Sequence, residues 1–175
     1  MTRGGTRIGN RGRGMWGNYC FFVTLDDYMV SHDAPTGNEG WQRELSPLSQ
    51  QYFSGMAPMV IGNHVLVGTS NDLDAPAWLE SFDPETGKTQ WKWYVTPQNQ
   101  GDPGLETWKN LDAARHGGGN PWGRGSYDTE THLYILGTGN PTPEYTAQTS
   151  GDGENLVHGG TVAINVETGK KGVYC

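Results

Sequence analysis

The chain reads as an all-β protein, a partial β-propeller of about three four-stranded blades, and three observations predict it. Among its 175 residues, glycine (27) and proline (10) are abundant while charged residues make up only 18%, which suits many short strands joined by tight turns and not a helical bundle. Seven Trp and eight Tyr supply much of the apolar bulk. A turn unit also recurs: Asp33, Thr36 and Gly37 return as Asp83, Thr86 and Gly87, and again as Asn165, Thr168 and Gly169. Trp41 and Trp91 each follow the opening Asp by eight residues, and Val173 stands where a third Trp would fall. Asp or Asn with Thr-Gly builds a tight hairpin turn, and the Trp then packs against a neighbouring sheet.

The elements follow in order. Residues 19–25 (YCFFVTL) are a β-prone run, Asp26 and Asp27 a turn, and 28–31 a resumed strand leading into the first repeat turn. Residues 57–95 repeat this order with APMVIG, NHVLVGTS, an acidic loop and WLESF before the second turn. A third segment runs through NPWGRGSYD, THLYILGTG, a long polar loop and GGTVAI to the third turn. The repeat turns lie 50 and 82 residues apart, which blades of one size explain if loops are inserted between them. The whole of 1–175 is therefore assigned to one propeller unit, with blades at about 10–45, 56–95 and 119–175 and inserted loops at 96–115 and 141–157. Three blades do not close a ring, because propellers usually need at least four, so the chain is expected to be a fragment of a longer propeller with open edges.

Charge and composition narrow the function. The net charge is −7 and no basic patch dominates, so nucleic acid is not an expected partner; Arg3, Arg7, Arg11 and Arg13 sit in a glycine-rich stretch that reads as a solvated loop. Cys20 and Cys175 are too few for a disulfide framework or a CxxC metal site. No run of 18 apolar residues predicts a membrane span, and the first residues lack the apolar core of a signal peptide.

The chemistry concentrates in 116–143, HGGGNPWGRGSYDTETHLYILGTGNPTP. Gly117, Gly118 and Gly119 permit positive φ and close backbone approach, and Trp122 offers an indole face. Alternation along THLYILGTG puts Leu133 and Ile135 on one strand face and Tyr134 and Leu136 on the other, and the strand delivers Asn140 at a turn tightened by Pro141. A wide aromatic surface and a placed amide oxygen are what a planar cofactor beside a hard cation needs. The same residues also read as a core Trp and a turn Asn in an all-β protein.

At these motifs a resemblance enters. The unit at 83–91, DPETGKTQW, resembles the tryptophan-docking motif of quinoprotein dehydrogenases. NRG at 10–12, GTS at 68–70, ETWKNLDAARHGGGNPW at 106–122 and GTGNPTP at 137–143 resemble the methanol/ethanol dehydrogenase family, which uses pyrroloquinoline quinone (PQQ). The resemblance implies about three consecutive blades from the N-terminal half of an eight-bladed propeller. It implies that Arg11 hydrogen-bonds the quinone, Ser70 donates to a PQQ carboxylate, Asn120 contacts the cofactor, Trp122 forms its floor, and Asn140 is an oxygen ligand of calcium. Departures accompany it: Gly5 and Thr6 replace the family's adjacent cysteines, Gly55 replaces a Thr, and Leu73 replaces a glutamate metal ligand, leaving Asp72 or Asp74 to substitute. The family's catalytic aspartate is expected beyond Cys175, so no catalytic residue is assigned in this chain.

The implied function is a fragment of a PQQ- and calcium-dependent alcohol dehydrogenase that oxidises primary alcohols to aldehydes, inactive alone, from a periplasmic parent that passes electrons to a cytochrome c-type acceptor. The alternative is a non-catalytic PQQ-repeat propeller serving as scaffold or binding module, as in outer-membrane assembly lipoproteins. A third reading, a carbohydrate-binding β-domain, would use exposed Trp78, Trp93 and Trp108, of which core packing is expected to claim at least two.

Overall fold

In the computed structural model, which describes residues 11–69, 71, 74–142, 155 and 158–174, the three repeat turns close in the same way. Asp33 Oδ1 accepts from the Thr36 backbone N–H at 2.9 Å and its hydroxyl at 2.6 Å, and Asp83 Oδ1 does the same with Thr86 at 2.8 and 2.7 Å. Asn165 repeats the pattern at 3.1 and 3.0 Å, longer because a neutral amide attracts the donors less than a carboxylate does. These bonds, the Thr hydroxyl first, hold the carboxyls of Asp33 and Asp83 below the ordinary aspartate range. Gly37, Gly87 and Gly169 end the turns at φ of 74°, 64° and 67°, the left-handed region that glycine enters without strain.

Each turn joins the third and fourth strands of an antiparallel four-stranded sheet, and the described residues form three such sheets. The first is β1 (Gly14–Trp16), β2 (Tyr19–Val23), β3 (Tyr28–Asp33) and β4 (Glu39–Glu44). The second is β5 (Met59–Ile61), β6 (His64–Thr69), β7 (Trp78–Phe82) and β8 (Thr89–Tyr94). The third is β9 (Ser126–Asp128), β10 (Leu133–Gly137), β11 (Thr161–Asn165) and β12 (Lys171–Tyr174). Strands are adjacent in sequence order within every sheet, as in propeller blades that remain unclosed.

The tryptophans tie blade to blade. Trp41, on β4, lies against the second blade's turn and donates its indole N–H to Pro84 O at 2.9 Å. Trp91, on β8, seats on the third blade's turn and donates to Val166 O at 2.6 Å. A Cβ at Gly87 or Gly169 would stand 2.6 Å from the seated ring, so these glycines serve close approach as well as φ. Among the described residues the first blade's turn has no such guest: none lies within 4 Å of a Cβ built at Gly37.

The middle blade is sandwiched between its neighbours, and β6 is buried along its whole length. Alternation sends Val65 and Val67 toward Phe21, Met29 and Trp41 of the first blade. Leu66 points the other way, into a core with Leu79, Tyr134, Leu136, Val162 and Ile164. Full burial of such a side chain contributes about 1.5–3 kcal/mol. His64 adds a polar link across this second seam, with Nδ1 2.9 Å from Ser81 Oγ and Nε2 3.2 Å from Glu167 Oε2. In β10 the expected alternation holds, with Tyr134 and Leu136 buried and Ile135 exposed.

Segment 96–115 carries a 3-10 turn (Leu105–Thr107) and a short helix α1 (Leu111–Arg115). Asn110 caps α1 by accepting from the Ala113 N–H at 2.8 Å. The segment folds Trp108, Ala113 and Ala114 into a small core of its own. Of the expected loop 141–157, only residues 141, 142 and 155 are among those described. Trp78 and Trp108 are buried at 5% and 6% exposure, which removes two of the three rings a carbohydrate-binding surface would need. Among the described residues no helix is long and apolar enough to cross a membrane.

Candidate functional site

The two glycine-rich turns of 116–143 are bonded into one unit. Gly118 and Pro141 form an antiparallel bridge. Thr142 N–H donates to Gly117 O at 2.9 Å, Gly119 N–H to Asn140 O at 3.1 Å, and Gly139 N–H to Asn120 O at 3.0 Å. The Thr142 hydroxyl adds a fourth bond, to His116 O at 2.8 Å. Two backbones meet this closely only where side chains are absent: a Cβ at Gly118 would lie 2.6 Å from Thr142 Cγ2, and one at Gly139 2.8 Å from Asn120 O.

This unit brings Asn120, Trp122 and Asn140 together. Trp122 is half exposed, its backbone N–H donates to Asn120 O at 2.9 Å, and its ring Cδ1 lies 3.4 Å from a Cβ built at Gly139, the residue before Asn140. The Arg11 guanidinium stands over the Trp122 ring, 5.2 Å from its centroid, and donates to Gly55 O at 3.0 Å. Gly55, which lacks the hydroxyl expected by resemblance, thus contributes a carbonyl that anchors the arginine. Asn120 is buried at 6% exposure and its Oδ1 has no hydrogen-bond partner. Asn140 is exposed; its Nδ2 donates to Pro141 O at 3.0 Å, leaving the amide oxygen as the available group. Ser70 and Asp72, with Leu73, lie outside the described residues. Asp74, the other carboxylate considered for a metal, pairs with His116 Nδ1 at 3.4 Å.

Two residues that support the unit were not singled out in the sequence. Thr142 is buried at 1% exposure and locks one turn to the other; its only sequence signal is a hydroxyl residue directly after Pro141. His158 packs behind Gly119 and stands edge-on to Trp108, with ring centroids 4.8 Å apart and planes at 86°. Burial pushes its imidazole down to about 4, against a smaller opposing effect of the nearby Gly117 backbone. Nothing local in the sequence around His158 announces a buried ring.

The half-open indole, the guanidinium above it and the unsatisfied Asn120 carbonyl suit a planar, anionic, hydrogen-bonding aromatic group such as PQQ. Calcium is a different case. The described residues offer the Asn140 oxygen but no grouping of three or more His, Cys, Asp or Glu, whereas calcium takes six to eight oxygens.

Comparison with known proteins places the chain in a family. The model of the family described as PQQ: glucose/ethanol/alcohol dehydrogenase, β-propeller domain, matches residues 21–172. A quinohemoprotein alcohol dehydrogenase, ADH IIB, of Pseudomonas putida is 31% identical over 175 residues, covering 92% of this chain and 25% of that protein. A 1-butanol dehydrogenase (quinone) of Thauera butanivorans is 30% identical, covering 94% of this chain and 32% of that one. Among solved structures, a europium-containing methanol dehydrogenase superposes with a TM-score of 0.85 at 27% identity, over 93% of this chain and 31% of that chain. The chain thus spans about a quarter to a third of the length of the relatives it matches. With the family model covering nearly all of its three blades, the chain belongs to the PQQ-dependent glucose/ethanol/alcohol dehydrogenase β-propeller family.

Proposed function

We propose that this chain supplies the floor and one edge of a PQQ site in a calcium-assisted dehydrogenase that oxidises primary alcohols to aldehydes. The observation that carries the reading is the bonded pair of glycine turns, which holds a half-exposed Trp122 beside Asn140 with Arg11 above its ring. When bound, PQQ would supply a two-electron acceptor and calcium a Lewis acid. Trp122 stacks against the cofactor plane and keeps water from that face. Arg11 and Ser70 would donate to its oxygens, the guanidinium being suited to carboxylates, and Asn120 would contact it. Asn140 and Asp72 would provide two of the oxygens the cation needs.

The names of the relatives support alcohol as substrate, and the quinohemoproteins among them support a cytochrome-type acceptor for the whole protein; a periplasmic setting is part of the same proposal. Because the chain spans only part of those relatives, it holds the binding floor without an assigned base, and no turnover is expected from it alone.

Titration of PQQ absorbance with the chain, with and without calcium, tests the reading. A saturable spectral shift is expected, lost in Trp122→Ala and partly kept in Trp122→Phe. No shift with the unaltered chain overturns the PQQ assignment, and alcohol-dependent dye reduction by the chain alone overturns the expectation of inactivity.

A further inference from the structure

The two blade seams are built on one plan but differ at one position, and the difference leaves a seat open. In the first seam Trp41 lies on turn 83–87, and Arg43, two residues later on the same face of β4, caps that turn. The guanidinium donates Nε–H to Gly87 O at 3.0 Å and Nη2–H to Thr86 O at 2.9 Å. In the second seam Trp91 lies on turn 165–169 in the same manner, with the same close contact to its glycine. Two residues after Trp91, where Arg43 stands in the first seam, the chain has Trp93. Among the described residues nothing donates to Thr168 O or Gly169 O, the counterparts of the carbonyls that Arg43 caps.

A groove of about 520 Å³ opens at this place, lined by Trp93, Asp102 and Gly169 and bordered by three lysines, Lys92, Lys170 and Lys171; Lys170 follows its turn glycine as Lys88 follows Gly87, beside which Arg43 is nonetheless held. Its chemistry is that of a guanidinium site. Trp93 offers an aromatic face, and the turn offers two adjacent carbonyls with no donor. The Asp102 carboxylate is held in place by the backbone N–H groups of Gln98 and Asn99, each at 2.9 Å. Lys92, which also borders the groove, is engaged elsewhere: its Nζ pairs with Glu80 Oε2 at 3.2 Å and lies 4.1 Å above the Trp78 ring. A planar fork donates to two neighbouring carbonyls while stacking on an indole, which a compact ammonium cannot do together.

We propose that this groove is a docking seat for an arginine side chain of a partner protein, which caps Thr168 and Gly169 as Arg43 caps Thr86 and Gly87. The seat reproduces a contact between a side chain and a turn. It also opens alongside β8, an edge strand of its sheet, and an edge strand is where an extended backbone can add. The Asp102 carboxylate is the groove's own charge complement to a guanidinium.

The test is an amide-resolved NMR titration of the chain with N-acetylarginine amide, its lysine and citrulline counterparts, and an extended pentapeptide with a central arginine. Arginine is expected to shift the Trp93 indole N–H and the amides of Gly169, Lys170 and Lys171 saturably. Lysine should bind about tenfold more weakly or worse. The pentapeptide should bind more tightly than the single amide. Trp93→Arg should fill the seat in cis and abolish the response. Arg43→Trp should open a second seat and produce new shifts at Thr86, Gly87 and Lys88, which keeps the test decisive if Trp93→Arg does not fold. Equal response to lysine, shifts that persist in Trp93→Arg with none added in Arg43→Trp, or self-association of the chain through this groove would overturn the proposal. A pentapeptide no tighter than the amide would assign the seat to a free guanidinium compound and overturn the partner assignment.

Discussion

At the scale of single residues, burial rather than identity decides the chemistry around the candidate site. His158 is an ordinary imidazole in sequence, but its position behind Gly119 and against Trp108 pushes it down to about 4. The unfolded chain, with histidine near its ordinary value of about 6.5, binds this proton more readily than the folded one. Stability from His158 is therefore complete above about pH 6.5 and is lost as pH falls toward about 4, on the order of 3 kcal/mol by then. Denaturant unfolding measured across that range should show the loss, and His158→Phe, which keeps a ring without a titrating group, should flatten it. An unchanged pH slope in the variant would show that other groups carry the acid sensitivity. Trp122 and Asn140 could be picked out beforehand because their surroundings, glycines and a proline, are written next to them in the chain. Thr142 and His158 could not, because what buries them lies tens of residues away.

At the scale of elements, the Asp/Asn-Thr-Gly turn serves as both hairpin and socket. Its hairpin function is local, which is why all three copies could be aligned by eye. Its socket function depends on the neighbour, and glycine substitutions separate the two. Gly37→Ala introduces a side chain at φ 74° into open space, so only the backbone cost of about 1–2 kcal/mol is expected. Gly87→Ala meets the same backbone cost at φ 64° and also drives a methyl into Trp41 at 2.6 Å. Overpacking of this kind adds about 1–3 kcal/mol. Thermal unfolding of the two variants should therefore differ clearly, and equal losses would mean that the indole yields without cost. The segment 96–115 shows a local signal that composition obscured. Its polar character reads as loop, yet Asn110 followed by Leu-Asp-Ala-Ala is a capped helix start, and α1 forms there.

At the scale of the whole molecule, β6 makes the three blades one unit, because its alternate residues belong to different cores. Leu66→Ala should cost about 2–5 kcal/mol and should lower a single cooperative unfolding transition rather than release the third blade separately. Two resolved transitions would show that the blades behave as independent repeats. The amino-acid sequence alone determined the all-β class, the repeat turns, the seating tryptophans and the two glycine-rich motifs of the candidate site, since each rests on contacts within a few residues. Only the tertiary structure decided which turn each tryptophan reaches, that the glycine turns are bonded to one another, and that Arg43 caps one socket while Trp93 leaves the next open. Those are pairings between distant segments, and periodicity along a chain carries no information about which distant backbone a side chain will meet.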